Sequence, residues 1–328
     1  MSRAPGGSSS LLQVDRLSKR YPGRGNAILA VDDVSFALSA GETFGLVGES
    51  GCGKSTLARC VLNLIRPTAG RVLFDGRNLF DLPGGEMRAL RREMQIIFQD
   101  PYSSLDPRMT VRATLLEPLE IHRVGSHATR EARVQEVLAQ VGLPESALRK
   151  YPHEFSGGQR QRLGIARALA LAPRLIVADE PVSALDLSIR AQILNLMQDL
   201  QEAYGLTYLL IAHDLTIVRH FCHRVAVMFQ GQIVESAPTD ELFACPLHPY
   251  TQALLRAIPP PDPDQPRKRS GPAGRGETDG PGEWPCRFAP RCPLAEEICR
   301  REAPALRELR PEHWVRCHLA EAPLIVLQ

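Results

Sequence analysis

Gly48-Glu49-Ser50-Gly51-Cys52-Gly53-Lys54-Ser55 is the stretch on which the fold turns. Before it, Glu42 to Gly48 (ETFGLVG) reads as a short buried strand running into a glycine-rich turn. After it, Leu57, Cys60, Val61 and Leu64 recur at helical spacing, and the helix is expected to run until Pro67 stops it. A strand, a glycine loop and a helix in that order form the context of a phosphate-binding loop, against the plainer alternative of a tight turn without a ligand. Glycines let the backbone wrap around phosphates, while loop amides and the helix N-terminus aim partial positive charge at them. Lys54 can then reach the β- and γ-phosphates and the Ser55 hydroxyl can ligate Mg²⁺. Gly48, Glu49, Ser50, Gly51, Cys52, Gly53, Lys54, Ser55 and Thr56 are the expected phosphate contacts.

Working outward, LLQVDRL from Leu11 and AVDDVSFAL from Ala30 read as a β-rich start. From about residue 88 to 171 the pattern is mostly helical, with Val134, Val137, Leu138 and Val141 on one face and Gly142 as a stop. Leu175 to Ala178 and Tyr208 to Ala212 read as buried strands around an amphipathic helix marked by Ile189, Ile193, Leu196, Met197, Leu200 and Tyr204 and closed by Gly205. RVAVMF and QIVES flank Gln230-Gly231 as a hairpin. The fold class is therefore α/β: a P-loop ATPase core with a β-rich N-terminal subdomain, a helical insertion and a small Cys-containing C-terminal extension.

The strand at Leu175 ends in Asp179-Glu180. One carboxylate can hold the hydrated Mg²⁺, and the next can address a water attacking the γ-phosphate. Alone, such a pair is as readily a surface acidic pair after a strand. Phe155-Ser156-Gly157-Gly158-Gln159, followed by RQRLGIARAL, changes that balance. With it the chain resembles the ATP-binding subunits of ABC transporters over about residues 11 to 258. Tyr21, the phosphate loop, Gln99 in IIFQDP, the signature at Ser156 to Gln159, Asp179-Glu180, Ser183-Ala184-Leu185-Asp186 and His213 stand in the family's order.

The resemblance implies that Tyr21 stacks on adenine and that Gln99 contacts Mg²⁺ and water while sensing a membrane subunit. It implies that Asp186 links two sites and that His213 holds the γ-phosphate through a ring N–H. It also implies two cassettes facing head to tail, each ATP lying between one phosphate loop and the other cassette's Ser156, Gly157, Gly158 and Gln159. Catalysis falls to Glu180, His213 and Gln99, and Mg²⁺ to Ser55, Gln99 and Asp179. Without the neighbouring motifs, Tyr21 and His213 would read as ordinary core side chains.

The rest of the composition is lopsided. The chain has 328 residues and 27 prolines, and 13 of those prolines lie after residue 258, as do Trp284 and Trp314. Residues 1 to 10 read as disordered, 11 to 258 as the ATPase domain, 259 to 284 as a Pro-rich linker and 285 to 328 as the extension. His248 to Leu255 and the tail cysteines resemble the C-terminal extension of the dipeptide/oligopeptide importer ATPases. Tyr151 to Gln159 resembles the second of the two ATPase subunits such importers encode. Cys286, Cys292, Cys299 and Cys317, with gaps of five, six and seventeen residues, can hold an iron-sulfur cluster or Zn²⁺. The resemblance implies a 4Fe-4S cluster, although Pro285 stands where the family often has Gly. Cys60, Cys222 and Cys245 read as core or surface residues without a role.

A net charge of +2 gives no broad field for a polyanion, so no nucleic-acid partner is expected. No run approaches the length of apolar sequence that spans a bilayer, and the N-terminus lacks the apolar core of a signal peptide. The expected place is peripheral, at the cytoplasmic face of the inner membrane. Expected partners are a second ABC ATPase subunit in a heterodimer (or a homodimer), two transmembrane permease subunits and a periplasmic or extracellular solute-binding protein. The expected work is ATP hydrolysis energising peptide uptake. The alternatives are a related nickel, glutathione or other solute importer, or a non-transport ABC ATPase, though the single motif set and the absence of sustained heptads disfavour the last.

Overall fold

The computed structural model describes residues 10–23, 27–258 and 284–320. The expected disordered start (residues 1–9), nearly all of the Pro-rich linker (259–283) and the last eight residues lie outside the described residues. The chain opens with β1 (Ser10–Tyr21) and β2 (Ile28–Ser39), paired antiparallel. β3 (Thr43–Val47) leads into α1 (Lys54–Val61), and β4 (Ala69–Phe74) with β5 (Arg77–Asn78) completes an antiparallel sheet of order β2-β1-β4-β5.

Next come α2 (Gly84–Leu90), β6 (Met94–Ile97), α3 (Pro101–Ser104), α4 (Val111–Ile121), α5 (His127–Gln140) and α6 (Gly157–Leu169). The chain returns through β7 (Leu175–Asp179), α7 (Leu187–Tyr204), β8 (Thr207–Ala212) and α8 (Leu215–Phe221). The hairpin β9 (Arg224–Phe229) and β10 (Gln232–Pro238) turns on Gln230 and Gly231, both at positive φ. Then follow α9 (Thr239–Ala244), α10 (Pro249–Arg256), α11 (Glu297–Arg301), β11 (Arg307–Arg310) and β12 (His313–Val315).

The second sheet has the order β11-β12-β10-β9-β3-β8-β7-β6. Its strands from β9 to β6 are parallel, which places the carboxyl ends of β3, β7, β8 and β6 on one edge. β3, β7 and β8 are buried throughout, as their unbroken apolar runs require of strands covered on both faces. Alternate residues serve different layers. Leu175, Val177, Leu209 and Ile211 join a core with β1, β2 and α1, whereas Ile176, Ala178, Tyr208 and Leu210 join one with α4 to α7.

Two expectations are corrected. The helical stretch from residue 88 is interrupted by β6, an edge strand paired parallel to β7, and its helices resume only at Pro101. Four residues are too few for periodicity to separate a strand from a helix. The helix after the phosphate loop ends at Val61 rather than running to Pro67. Asn63 adopts φ 50° and donates its side-chain N–H to the Leu79 carbonyl at 3.2 Å, leaving Leu64 51% exposed.

The extension continues the sheet of the body. β12 pairs antiparallel with β10 through Glu235↔Val315 and Ser236↔Trp314, and β11 pairs with β12. Beside this seam lies a buried ion pair: His313 Nε2 is 2.8 Å from Glu235 Oε1, with both side chains 0% exposed, and His313 Nδ1 is 3.1 Å from Glu241. The amides of Leu247 and His248 also donate to the Glu235 carboxylate, at 2.6 and 3.0 Å. Burial alone would lower the His313 pKa, but hydrogen bonds and charge from Glu235 and Glu241 outweigh it and hold the ring above its ordinary value. Arg310 approaches Glu241 at 3.7 Å. His248, buried without such a partner at its ring, is held neutral with its pKa lowered to about 4.

Removing one member of a buried pair strands the other charge, so His313→Gln should lower unfolding stability by about 3 kcal/mol. Because the folded pKa of His313 is raised, its contribution is fully present below the unfolded imidazole value and is lost as pH rises through the folded one. The stability gap between wild type and His313→Gln, read by denaturant titration, should therefore narrow as pH rises above the ordinary imidazole range.

Candidate nucleotide site

The phosphate loop lies between the buried end of β3 and the start of α1. Gly53 caps the helix in the left-handed region at φ 108° with no side chain over the helix amides, so the first turn keeps its N–H groups free for an anion. A Cβ on Gly53 would sit 2.0 Å from the Ala30 carbonyl oxygen, so β2 closes the loop from behind. Lys54 is buried and donates to the carbonyls of Gly48 at 2.8 Å and Glu49 at 2.9 Å. Its third N–H has only a long contact to Cys52 Sγ at 3.7 Å, which a phosphate oxygen can replace.

Ser55 Oγ donates to Asp179 Oδ1 at 3.1 Å. A hydroxyl and a carboxylate brought together from α1 and the end of β7 are oxygen donors of the kind Mg²⁺ takes. Burial raises the Asp179 pKa, the Ser55 hydrogen bond opposes that, and the Glu180 charge adds to it. A cation here would relieve that penalty, so the donor set fits the metal that the loop implies. Thr56 follows on α1.

One residue beyond Asp179, Glu180 takes φ 48°, a left-handed conformation rare for a non-glycine residue, and its amide donates to Ile211 O at 3.0 Å. That turn directs the carboxylate off the strand to a point where two other expected residues meet it. Gln99 Nε2 donates to Glu180 Oε2 at 2.8 Å, and His213 Nδ1 is 3.2 Å from the same oxygen. Gln99, Glu180 and His213 follow the carboxyl ends of β6, β7 and β8, so sheet order brings them together. A neutral His213 that donates from Nδ1 to Glu180 leaves Nε2 as an acceptor; donating to a phosphate from Nε2 as well requires the imidazolium.

The signature lies on a different body of structure. Ser156 caps α6, its hydroxyl accepting the Gln159 amide at 3.4 Å while Gln159 Oε1 accepts the Ser156 amide at 3.1 Å. A Cβ on Gly158 would lie 2.6 Å from Ile189 Cγ2, so this glycine lets α6 approach α7 closely. α6 packs on α3, α4, α5, α7 and β6, whereas α1 packs on β1, β2, β7 and β8. Asp186 caps α7 from an exposed position next to Leu187, which is 81% exposed. Tyr21 ends β1, half-buried, with the Lys19 ammonium 5.1 Å from its ring centroid.

The tail thiols are free and drawn together. Cys286, Cys292, Cys299 and Cys317 lie near enough to act on one another electrostatically, and the Cys286 amide donates to the Cys299 carbonyl at 3.2 Å. Burial, with these neighbours adding to it, raises the Cys286 and Cys317 thiols and pushes Cys292 up to about 11. Among the described residues, no group of three or more His, Cys, Asp or Glu side chains is arranged to hold a metal ion. No helix among them is long and apolar enough to cross a membrane.

Two partners of the site went unread in the sequence: Tyr250 Oη accepts the Glu49 amide at 3.0 Å, and Arg291 forks onto the Glu49 carboxylate at 2.8 and 2.9 Å. Both lie in stretches read as the importer extension, yet nothing in those stretches points to Glu49 more than 200 residues earlier.

A glycine-rich loop between β3 and α1, an acidic pair at the end of β7 and a separately capped α6, set on one parallel sheet, have the architecture of an ATP-binding cassette. Residues 31–183 match the ABC transporter family and residues 234–299 match the oligopeptide/dipeptide transporter C-terminal region. A putative peptide import ATP-binding protein of Brucella ovis is 52% identical over 94% of this chain and 97% of its own length. The oligopeptide transport ATP-binding protein AppF of Bacillus subtilis is 48% identical over 94% and 97%. Among solved structures, the dimeric ATP-binding cassette MJ0796 bound to ADP and Pi matches with a TM-score of 0.64 and 32% identity, covering 70% of this chain and 98% of that one. The chain belongs to the ABC transporter ATP-binding subunits, in the branch that carries the oligopeptide/dipeptide transporter C-terminal region.

Lys54→Ala removes the buried ammonium at the loop and should weaken binding of a fluorescent ATP analogue at least about tenfold. Asp179→Asn should leave nucleotide binding in EDTA nearly unchanged while abolishing its strengthening by Mg²⁺, read in the same titration.

Proposed function

We propose that this chain is the ATP-hydrolysing subunit of an importer that moves dipeptides or oligopeptides across the inner membrane. The observation that carries the reading is the transporter-specific C-terminal region on a cassette whose Gln99, Glu180 and His213 still converge. The relatives named as peptide or oligopeptide ATP-binding proteins, matched over nearly their whole length, support the same substrate class.

Phosphoryl transfer demands positioning and charge neutralisation more than covalent help. Ser55 and Asp179, with Gln99 nearby, would hold Mg²⁺, which would supply charge neutralisation at the phosphates. Lys54 and the loop amides of Ser50, Gly51 and residues 53 to 55 seat the phosphates, those of Glu49 and Cys52 being engaged within the protein. Glu180 accepts the proton of the attacking water on its carboxylate, whose Oε2 Gln99 and His213 already orient. His213 then faces the γ-phosphate, and Tyr21 offers a ring for adenine.

The far side of the γ-phosphate is proposed to come from Ser156, Gly157, Gly158 and Gln159 of a second cassette. The exposed Leu187 beside Asp186 and the dimeric relative support this head-to-tail pairing. The second cassette is proposed to be a related subunit in a heterodimer, with a homodimer as the alternative. The pair would sit on the cytoplasmic side of two permease subunits supplied by a periplasmic or extracellular binding protein, with the Gln99 segment receiving the permease. Phe98 and Tyr102 on that segment are exposed, the latter at 64%, as a docking surface for an apolar partner helix requires.

For the tail, we propose that Cys286, Cys292, Cys299 and Cys317 hold a 4Fe-4S cluster, with Zn²⁺ as the alternative. The support is chemical, four free thiols in one short extension being the ligand type such a cluster takes, while the described side chains are not arranged around a metal. When bound, such a cluster supplies charge neutralisation and a cross-link between the segments bearing the thiols.

Glu180→Gln should keep ATP affinity while lowering kcat in the reconstituted transporter by about 10²- to 10⁴-fold, with a nucleotide-bound dimer accumulating on gel filtration. Normal turnover would remove Glu180 from the role of base. Elemental analysis of anaerobically purified chain should give iron and sulfide in equal amounts; neither iron nor zinc would leave the cysteines as unbridged thiols.

A further inference from the structure

Glu49, in the phosphate loop, is held at its amide, carbonyl and side chain together, its carboxylate by a residue of the extension. Its amide donates to Tyr250 Oη at 3.0 Å. Its carbonyl accepts Lys54 Nζ at 2.9 Å and the Cys52 amide at 3.3 Å. Its carboxylate takes both terminal nitrogens of Arg291, at 2.8 and 2.9 Å, in a bidentate fork. Tyr250 comes from α10 and Arg291 from the five residues between Cys286 and Cys292, so two distant parts of the chain grip one loop residue.

The grip is itself fixed. The Arg291 guanidinium lies 5.5 Å from the centroid of Phe229 and 5.8 Å from that of Phe288. Phe229, Tyr250 and Phe288 pack mutually with centroids 4.6 to 5.5 Å apart, and Tyr250 and Phe288 are 1% and 3% exposed. Arg287, in the same short segment, binds the Gln230 carbonyl and Asp32. The adjoining Gly231 amide donates to Cys52 O at 2.8 Å, so the segment supports the loop at a second point.

We propose that Arg291 and Tyr250 are positioning residues for the phosphate loop, and that through them the docked cysteine-bearing segment sets the affinity of the ATP site. Two physical effects act in the same direction. Holding Glu49 keeps the loop amides ordered before nucleotide arrives, which lowers the entropy lost on binding. Arg291 also neutralises a carboxylate next to the triphosphate, which would otherwise repel it. The inference rests on the phosphate loop being the ATP site. The Lys54→Ala titration tests that separately: if Lys54→Ala bound ATP normally, the site assignment would fail irrespective of Arg291.

The test is titration of the full chain with a fluorescent ATP analogue, together with KM and kcat for ATP hydrolysis in the assembled transporter. Arg291→Ala should weaken binding about three- to tenfold, as suits a half-exposed bidentate pair, and should raise KM more than it lowers kcat. The gap to wild type should shrink in high salt. In a Glu49→Ala background, Arg291→Ala should have no further effect, and exchanging the charges as Glu49→Arg with Arg291→Glu should recover part of the loss. Arg301→Ala, which removes an exposed pair with Glu297 in the same extension, should bind as wild type. If Arg291→Ala disturbs folding, Arg291→Gln, which keeps the stem against the phenyl rings, provides the same comparison. Wild-type affinity in Arg291→Ala or Arg291→Gln, or an equal loss with and without Glu49, would overturn the proposal.

Discussion

Between β3 and α1 the backbone has to point successive amides at one place, and the chain on either side has no freedom to relax it. β3 is buried along its whole length, Gly53 is pressed against the Ala30 carbonyl of β2, and Lys54 is folded onto the carbonyls of Gly48 and Glu49. Lys54 and Ser55 take their positions from that loop. Ser55 meets Asp179 because α1 starts where it does, and Glu180 follows Asp179 at the end of β7, separated from β3 by β8 in the same parallel sheet. The order of strands in the sheet then fixes which loops lie beside it, and so brings Gln99, Glu180 and His213 to one oxygen atom.

Much of this was legible because local sequence and tertiary position agree. The apolar runs at β3, β7 and β8 and the α7 stripe ending at Gly205 carry periodicity or punctuation strong enough to read directly. The loop motif and Asp179-Glu180 are short segments whose pattern is local, so they could be picked out before their neighbours were known. β6 was not legible, because four residues between helices have no period of their own and become a strand only by pairing with β7. The end of α1 was obscured for a related reason: Leu64 continues the apolar spacing, but the left-handed Asn63 breaks the helix before it.

The longest-range features were the least legible. Nothing near Arg291 signals a partner 242 residues earlier, and nothing near Glu235 signals a histidine 78 residues later. Composition separated a body from an appendix, yet β11 and β12 extend the body's own sheet, and Phe288 joins the body's core. The extension therefore has two kinds of attachment, a buried ionic seam at β10 and an aromatic and guanidinium contact at the phosphate loop. The second attachment joins the feature that marks the branch of the family to the feature that binds nucleotide.

The dependence of the site on this loop is tested most directly by hydrogen exchange, followed by mass spectrometry, on the full chain with and without Mg²⁺ and a non-hydrolysable ATP analogue. Nucleotide should slow exchange of the amides from Glu49 to Thr56 and, in the same titration and with the same midpoint, those flanking Arg291. Protection confined to segments other than the loop, or none at saturating nucleotide, would contradict the account.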